Sequence, residues 1–184
     1  MNSLDKGSLR KIYNAGILPS VLYGILIWGN CAEHLMNDIE KIHIKAARFV
    51  ERISKRVPDT SVLEVANWKP LLFYYKKHLS CKTYKIYNGL SPPLLEKLIS
   101  KPCRTSRTRN KLKIEQPSFH YITYKRSFSY RAATVWNNIP IDIREKCSLH
   151  SFKKALGDSK VLFKINFGCN STARAPDPDN YLYY

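Results

Sequence analysis

The sequence predicts a mainly α-helical protein, and three observations lead to that prediction. Apolar residues recur at spacings of three and four over residues 35–53 and again over 72–86, which is the period of one helix face. Proline, serine and glycine stand between such segments at positions typical of helix starts and stops. With 44% hydrophobic and 12% aromatic residues, the 184-residue chain can bury a real core. Residues 101–123 lose the periodicity and allow at most a short β-hairpin.

The first third of the chain contains two helical segments before its most regular one. Pro19 is predicted to end a short first helix, and Ser20 to cap a second one over residues 21–28. This second helix is apolar on all sides, which predicts burial on every side. The stretch between Lys11 and Glu33 is uncharged, but its dense apolar part is far shorter than the roughly 20 residues that a membrane span requires. We therefore predict a core helix.

The third helix carries the most regular apolar stripe in the chain. Its residues alternate spacings of four and three: Leu35, Ile39, Ile42, Ala46, Phe49 and Ile53. We expect this stripe to pack against residues 21–28, and Pro58 to end the helix. A basic stripe lies about 100° around the same helix: Lys41, Lys45, Arg48 and Arg52. Such a stripe either is solvated or faces phosphates, and the sequence leaves both interpretations open.

The rest of the chain alternates helical segments with breaks. The longest segment covers residues 70–89, and three of its lysines, Lys77, Lys82 and Lys85, fall within one flank. Shorter helices are predicted over residues 62–67, 93–99, 128–137 and 148–156. Residues 157–184 are predicted to be weakly ordered.

The formal charge of +17 and the pI near 9.8 indicate a polyanionic partner. Nucleic acid is the first expectation and an anionic membrane surface the second. Residues 101–131 contain nine basic side chains against Glu115 alone. They are Lys101, Arg104, Arg107, Arg109, Lys111, Lys113, Lys125, Arg126 and Arg131. The stretch from 104 to 113 repeats a cation every two or three residues, so an extended loop can lay several cations along a phosphate track. We predict the main nucleic-acid contact there.

The five cysteines are odd in number and widely spaced, which indicates a reducing, intracellular compartment rather than a disulfide scaffold. Three Cys/His pairs share one spacing: Cys31 with His34, His78 with Cys81, and Cys147 with His150. Two such pairs can in principle complete a tetrahedral zinc site. Without any CxxC or HxxxH half-site, we favour ordinary helix residues and expect no cofactor in this chain.

Several short motifs occur in the order seen after the palm of non-LTR (LINE-like, jockey-like) retrotransposon reverse transcriptases, and over about residues 9–156 the chain resembles that region. The first motifs are Tyr23, Gly24, Trp28 and Gly29, then Ile39-Glu40-Lys41-Ile42 with Ala46, Ala47 and Arg48, and then Trp68-Lys69-Pro70-Leu71. They are followed by Tyr84-Lys85-Ile86-Tyr87-Asn88-Gly89-Leu90-Ser91-Pro92, Thr108-Arg109 and Ser127-Phe128. Trp136-Asn137-Asn138-Ile139-Pro140, and Phe152-Lys153 with Leu156, complete the series. The ordered set is specific, although no single motif is.

The resemblance implies a thumb-like helical bundle over residues 1–100 that grips a primer-template duplex. A basic loop or linker over 101–126 and a short helical C-terminal extension over 127–156 would follow, with a weakly ordered tail over 157–184. RNA and DNA are the implied partners, bound through their phosphate backbone. The resemblance implies no membrane partner. The family's palm would pack near residues 1–30.

Polymerisation needs clustered carboxylates that hold two metal ions, and this sequence lacks them. Its seven aspartates are scattered, and no Asp-Asp pair follows an aromatic residue. In the family, magnesium belongs to the palm, so we expect the chain to begin after the catalytic centre, as a truncated copy would, and to be inactive alone. The alternative is a free-standing helical interaction module, derived from a mobile element, that binds an acidic protein partner.

Overall fold

The computed structural model describes residues 4–101, 112–118, 122–158, 160–165 and 167, which are mainly helical and contain no strand. The mainly α prediction is therefore confirmed. The helices are α1 (Lys6–Ile12), a π-helical segment (Tyr13–Ile17), α2 (Leu18–Leu22), α3 (Ile25–Trp28), α4 (Glu33–Val50), α5 (Asp59–Ala66) and α6 (Leu71–Tyr87). They continue as α7 (Pro93–Glu96), a 3-10 helix (Ile122–Arg126), α8 (Phe128–Asn138), α9 (Ile141–Arg144), α10 (Leu149–Asp158) and α11 (Val161–Lys164). Within the described ranges, none of the helices is long and apolar enough to cross a membrane.

The prediction that Pro19 ends the first helix is wrong. The chain continues from α1 through the π-helical segment into α2, and Pro19 lies in the first turn of α2. Ser20 does not cap a helix, because its hydroxyl donates to the carbonyl of Gly16 at 2.8 Å. The break comes instead at Gly24, whose φ of +68° is a left-handed conformation that glycine adopts without strain.

The predicted partner of residues 21–28 is also wrong. After the turn at Gly24, α3 packs on α6 and not on the apolar stripe of α4. Ile25 is buried there and Leu26 is half-buried, but Ile27 is exposed, so the segment is not buried on every side. The close approach depends on Gly29, since a Cβ at that position would lie 2.5 Å from the ring of Tyr75.

Helix α6 is the centre of the main hydrophobic core. Leu79 is fully buried, and the ring of Tyr84 stacks on Phe152 of α10 at 4.6 Å. Trp136 of α8 is fully buried and stacks on Tyr87 at 5.4 Å. The core therefore joins α6 to helices that follow the basic loop in the sequence.

The core also extends beyond residue 156. Residues 157–184 were expected to be weakly ordered, and most of them lie outside the described residues. Within the described part, however, Leu162 of α11 and Ile165 are buried in the main core. The carbonyl of Leu162 accepts a hydrogen bond at 2.9 Å from the buried ammonium of Lys76, so α11 closes one end of α6.

A second, smaller core lies between α4 and α5. Ala47, Val62 and Ala66 are its buried residues. Helix α4 ends at Val50, so Pro58 does not end it but stands directly before α5. The sequence predicts that the apolar stripe of α4 is buried, and this prediction is wrong. The inward face consists of His43, Ala47 and Val50, and the stripe points largely to solvent.

Candidate nucleic-acid interface

Most of the predicted basic loop falls outside the described residues. Arg104, Arg107, Arg109 and Lys111 lie there, and Lys113 is the first described cation after them, with an exposed side chain. The two ends of the loop are adjacent, because the N–H of Glu115 donates to the carbonyl of Ser100 at 2.9 Å.

The returning end of this loop is anchored by the motif at residues 136–140. The indole N–H of Trp136 donates to the carbonyl of Leu112 at 2.6 Å, and the buried Arg144 donates to the same carbonyl at 2.9 Å. The side-chain amide of Asn137 accepts from the N–H of Ile114 at 3.0 Å and donates to its carbonyl at 2.8 Å. These contacts fix the base of the loop to α8, an anchoring role that the sequence alone did not reveal.

The predicted basic stripe of α4 separates into two kinds of residue. Arg48 donates to the carbonyls of Ser54 and Val57 and to the carboxylate of Asp59, at 2.6 to 2.8 Å. Arg52 donates to the carbonyl of Leu4 at 2.9 Å. Both guanidinium groups therefore hold the local fold. Lys41, which pairs with Asp38 at 2.9 Å, and Lys45 have exposed side chains.

The three remaining predicted cations lie around the start of α8. Arg131 is buried, and its guanidinium donates to the carbonyls of Lys125 and Gly29 while lying 4.7 Å from the ring centroid of Phe167. Lys125 is half-buried and Arg126 is exposed. Of these three cations, Arg126 is the one with an exposed side chain.

The structure brings together a basic surface that was not among the predicted site residues. Helix α6 is buried around much of its circumference, and most of its accessible side chains lie in a strip on one side: Tyr74, Lys77, His78, Cys81, Lys82 and Lys85. Leu72 and Tyr87 are accessible elsewhere on the helix. Helix α10 packs beside this strip and adds Lys153, which is exposed. We call Lys77, Lys82, Lys85 and Lys153 the lysine strip.

The pKa values of two groups in the strip report the charges around them. Burial lowers the pKa of His78, and the ammonium groups of Lys77 and Lys153 lower it further. Burial raises the pKa of the Cys81 thiol, and Lys153, Lys77 and Lys85 act against that rise. Lys77, Lys85 and Lys153 therefore lie near His78 or Cys81, on adjacent parts of α6 and α10.

The strip has dimensions suited to a phosphate backbone. Lys77 and Lys85 are eight residues apart on a helix, which separates their Cα atoms by about 12 Å. That length corresponds to three or four nucleotides of one duplex strand, which advances about 3.4 Å per nucleotide. Ammonium groups contact phosphates without selecting bases, so this surface can hold a nucleic acid with little sequence preference.

The base of the basic loop lies at the C-terminal end of the same helix. The ammonium of Lys101 lies 4.9 Å from the ring centroid of Tyr87, the last residue of α6. The lysine strip and the predicted loop contact therefore adjoin one helix. The sequence showed the common flank of Lys77, Lys82 and Lys85, but the contribution of Lys153 depends on how α10 packs and has no local signal.

Within the described ranges, no group of three or more His, Cys, Asp or Glu side chains is arranged to hold a metal ion. The three cysteines described, Cys31, Cys81 and Cys147, are unpaired thiols. Comparisons of the chain with protein-family models, curated proteins and solved structures gave no match.

Proposed function

We propose that this chain binds nucleic acid through phosphate contacts, and that it does so with little sequence preference. The observation that carries the proposal is the lysine strip, where lysines of α6 and of the adjacent α10 have accessible side chains on neighbouring surfaces. The formal charge of +17 supports it, because each phosphate that a basic surface neutralises releases a condensed counterion, and this release favours binding.

We further propose that the chain is the non-catalytic C-terminal part of a non-LTR retrotransposon reverse transcriptase, acting in the cytoplasm or nucleus. The ordered motifs described above support this origin. In this proposal a palm supplies the catalytic aspartates and magnesium, and it packs near residues 1–30. Exposed apolar side chains are available to it there: Leu4, Ile12, Ile17, Tyr23 and Ile27.

The salt dependence of binding tests the nucleic-acid proposal. A fluorescent DNA duplex is titrated with the parent chain and with Lys77→Gln/Lys85→Gln/Lys153→Gln across a range of salt concentrations. Each neutralised phosphate contributes about 0.9 to the slope of log K against log salt on a B-form duplex, so the triple variant should flatten the slope by about two to three units.

A matched control separates local contacts from net charge. Lys11, Lys55 and Lys97 are exposed and belong to other elements, so Lys11→Gln/Lys55→Gln/Lys97→Gln removes the same charge elsewhere. We expect this control to change the slope by less than about one unit. Equal slopes for the two triple variants would contradict the assignment of the strip.

The proposed origin has a catalytic consequence. Because the sequence has no paired aspartates, the purified chain should extend no primer on any template with magnesium or manganese. Metal-dependent incorporation of nucleotides by the purified chain would refute this proposal.

A further inference from the structure

The outward face of α4 presents large apolar side chains to solvent in a regular row. Leu35, Ile42 and Phe49 are 48%, 66% and 71% exposed. They are seven residues apart, and the half-buried Ile39 and Ala46 lie between them at spacings of four and three. This is the pattern of a coiled-coil seam. We call these five residues the α4 seam.

The chain's own fold turns the seam away from its cores. The inward face of α4 lies roughly 90° around the helix and includes His43, whose two ring nitrogens are both hydrogen-bonded. The Tyr13 hydroxyl donates to Nδ1 at 2.6 Å, and Nε2 donates to the carbonyl of Lys69 at 3.0 Å. Helix α3, the expected partner of the seam, packs on α6 instead.

The length of the seam defines the shape of its partner. From Leu35 to Phe49 the helix rises about 21 Å, or about four turns. A row of this length accommodates one helix of four to five turns, whose own apolar residues insert between those of the seam. An exposed apolar row of this size is typical of a protein interaction site.

The charges beside the seam determine the partner's chemistry. The flanking positions on its solvent side hold Asp38 and Lys45, and the Asp38 carboxylate already pairs with Lys41 at 2.9 Å, which leaves Lys45 uncompensated. The excess charge is positive, so a partner helix with carboxylates along its edge is favoured. A second copy of this chain also carries a formal charge of +17, so electrostatic repulsion disfavours it as the partner.

We propose that the α4 seam docks an acidic amphipathic helix of a partner protein. This inference goes beyond nucleic-acid binding and is independent of it, since the seam belongs to α4 and the lysine strip to α6 and α10.

The test uses a labelled 21-residue synthetic peptide with Leu and Ile at the two seam positions of each heptad and Glu at the flanking positions. Two control peptides keep its length: one replaces the seam residues by Gln, and the other replaces Glu by Lys. In anisotropy titrations at physiological salt, the parent chain should bind the first peptide at least about tenfold more tightly than either control.

Protein variants locate the binding surface. Ile42→Ser/Phe49→Ser should weaken binding by about tenfold or more, because exposed apolar contacts at an interface centre dominate affinity. Leu94→Ser is the matched control, since Leu94 is 73% exposed on α7, and it should leave binding unchanged. Lys45→Glu, a surface change that preserves the seam, should weaken binding of the Glu peptide and strengthen binding of the Lys peptide, each by about threefold.

Three results would overturn the proposal. If the control peptide with Gln at the seam positions binds as tightly as the first peptide, the interaction depends on net charge alone. Unchanged binding by Ile42→Ser/Phe49→Ser, with its circular dichroism intact, would place the peptide elsewhere. A dimer in sedimentation equilibrium that this variant dissociates would assign the seam to a second copy. The triple lysine-strip variant should keep its affinity for the peptide within about twofold. A failure of the nucleic-acid proposal can therefore be told apart from a failure of this one.

Discussion

Helices α4 and α6 have nearly the same length, 18 and 17 residues, and are used in opposite ways. Helix α6 is surrounded by α3, α8, α10 and α11, so even Lys76 and Thr83 on it are buried. Its accessible strip is basic. Among the described elements, helix α4 packs mainly on α5 and α1; it buries His43, Ala47 and Val50 and exposes large apolar residues such as Ile42 and Phe49.

The comparison shows that apolar periodicity identifies a face that requires a partner without identifying the partner. In α6 the partners come from the same chain and fill nearly the whole circumference. In α4 the regular stripe is the part that the described residues leave largely uncovered. A close-packed face and an exposed one give the same sequence pattern, because both exclude charge from one side of a helix.

Cavity-forming substitutions should separate the two helices most strongly. Leu79→Ala in α6 should cost about 2 to 5 kcal/mol, because Leu79 is fully buried and its removal leaves a cavity in the main core. Ile42→Ala in α4 should change the free energy of unfolding by less than about 0.5 kcal/mol, since its side chain is already exposed. Chemical denaturation measures both. Similar losses for the two variants would abolish the distinction.

The anchor at the C-terminal end of α6 should give an intermediate effect. Asn137→Ala leaves the N–H and carbonyl of Ile114 without their side-chain partner, which should cost about 1 to 3 kcal/mol. Denaturation midpoints measure the loss, with Asn138→Ala as the control, because Asn138 is exposed and bonds only within its own helix in the described contacts. Equal losses for the two variants would mean that the anchor contributes nothing specific.

The polar inward face of α4 should give the smallest effect, a pH dependence. Burial lowers the pKa of His43 from its ordinary value of 6.5, so the folded chain resists a proton that the unfolded chain accepts. Stability should therefore fall as the pH drops from about 7 to 5. His43→Asn should make that fall shallower than in the parent. Parallel stability curves for parent and variant would contradict a neutral, buried imidazole.

The sequence predicted the helical class and the long helices because periodicity and capping residues are local signals. Helix α6 was predicted over residues 70–89 and observed at Leu71–Tyr87. The direction of α3 was not predictable, since it depends on the left-handed turn at Gly24 and the approach of Gly29 to Tyr75. The joining of Lys153 to the α6 lysines depends on tertiary packing in the same way.

The candidate site shows a similar division. Arg48, Arg52 and Arg131 looked like phosphate contacts from their spacing or surroundings, but their guanidinium groups donate to backbone carbonyls. Local sequence does not reveal which arginines the fold engages, because the accepting carbonyls are at chain turns and helix ends. The contribution of these residues to nucleic-acid binding stays a prediction, as does that of Arg104, Arg107, Arg109 and Lys111.

Lysine footprinting tests the separation of the two faces most directly. The chain is acetylated briefly with and without a saturating RNA–DNA hybrid, and the modified lysines are quantified by mass spectrometry. We expect the hybrid to protect Lys77, Lys85 and Lys153 and to leave Lys41 and Lys45, beside the α4 seam, as reactive as in the free chain. Protection of Lys41 and Lys45 with an unprotected lysine strip would contradict the account.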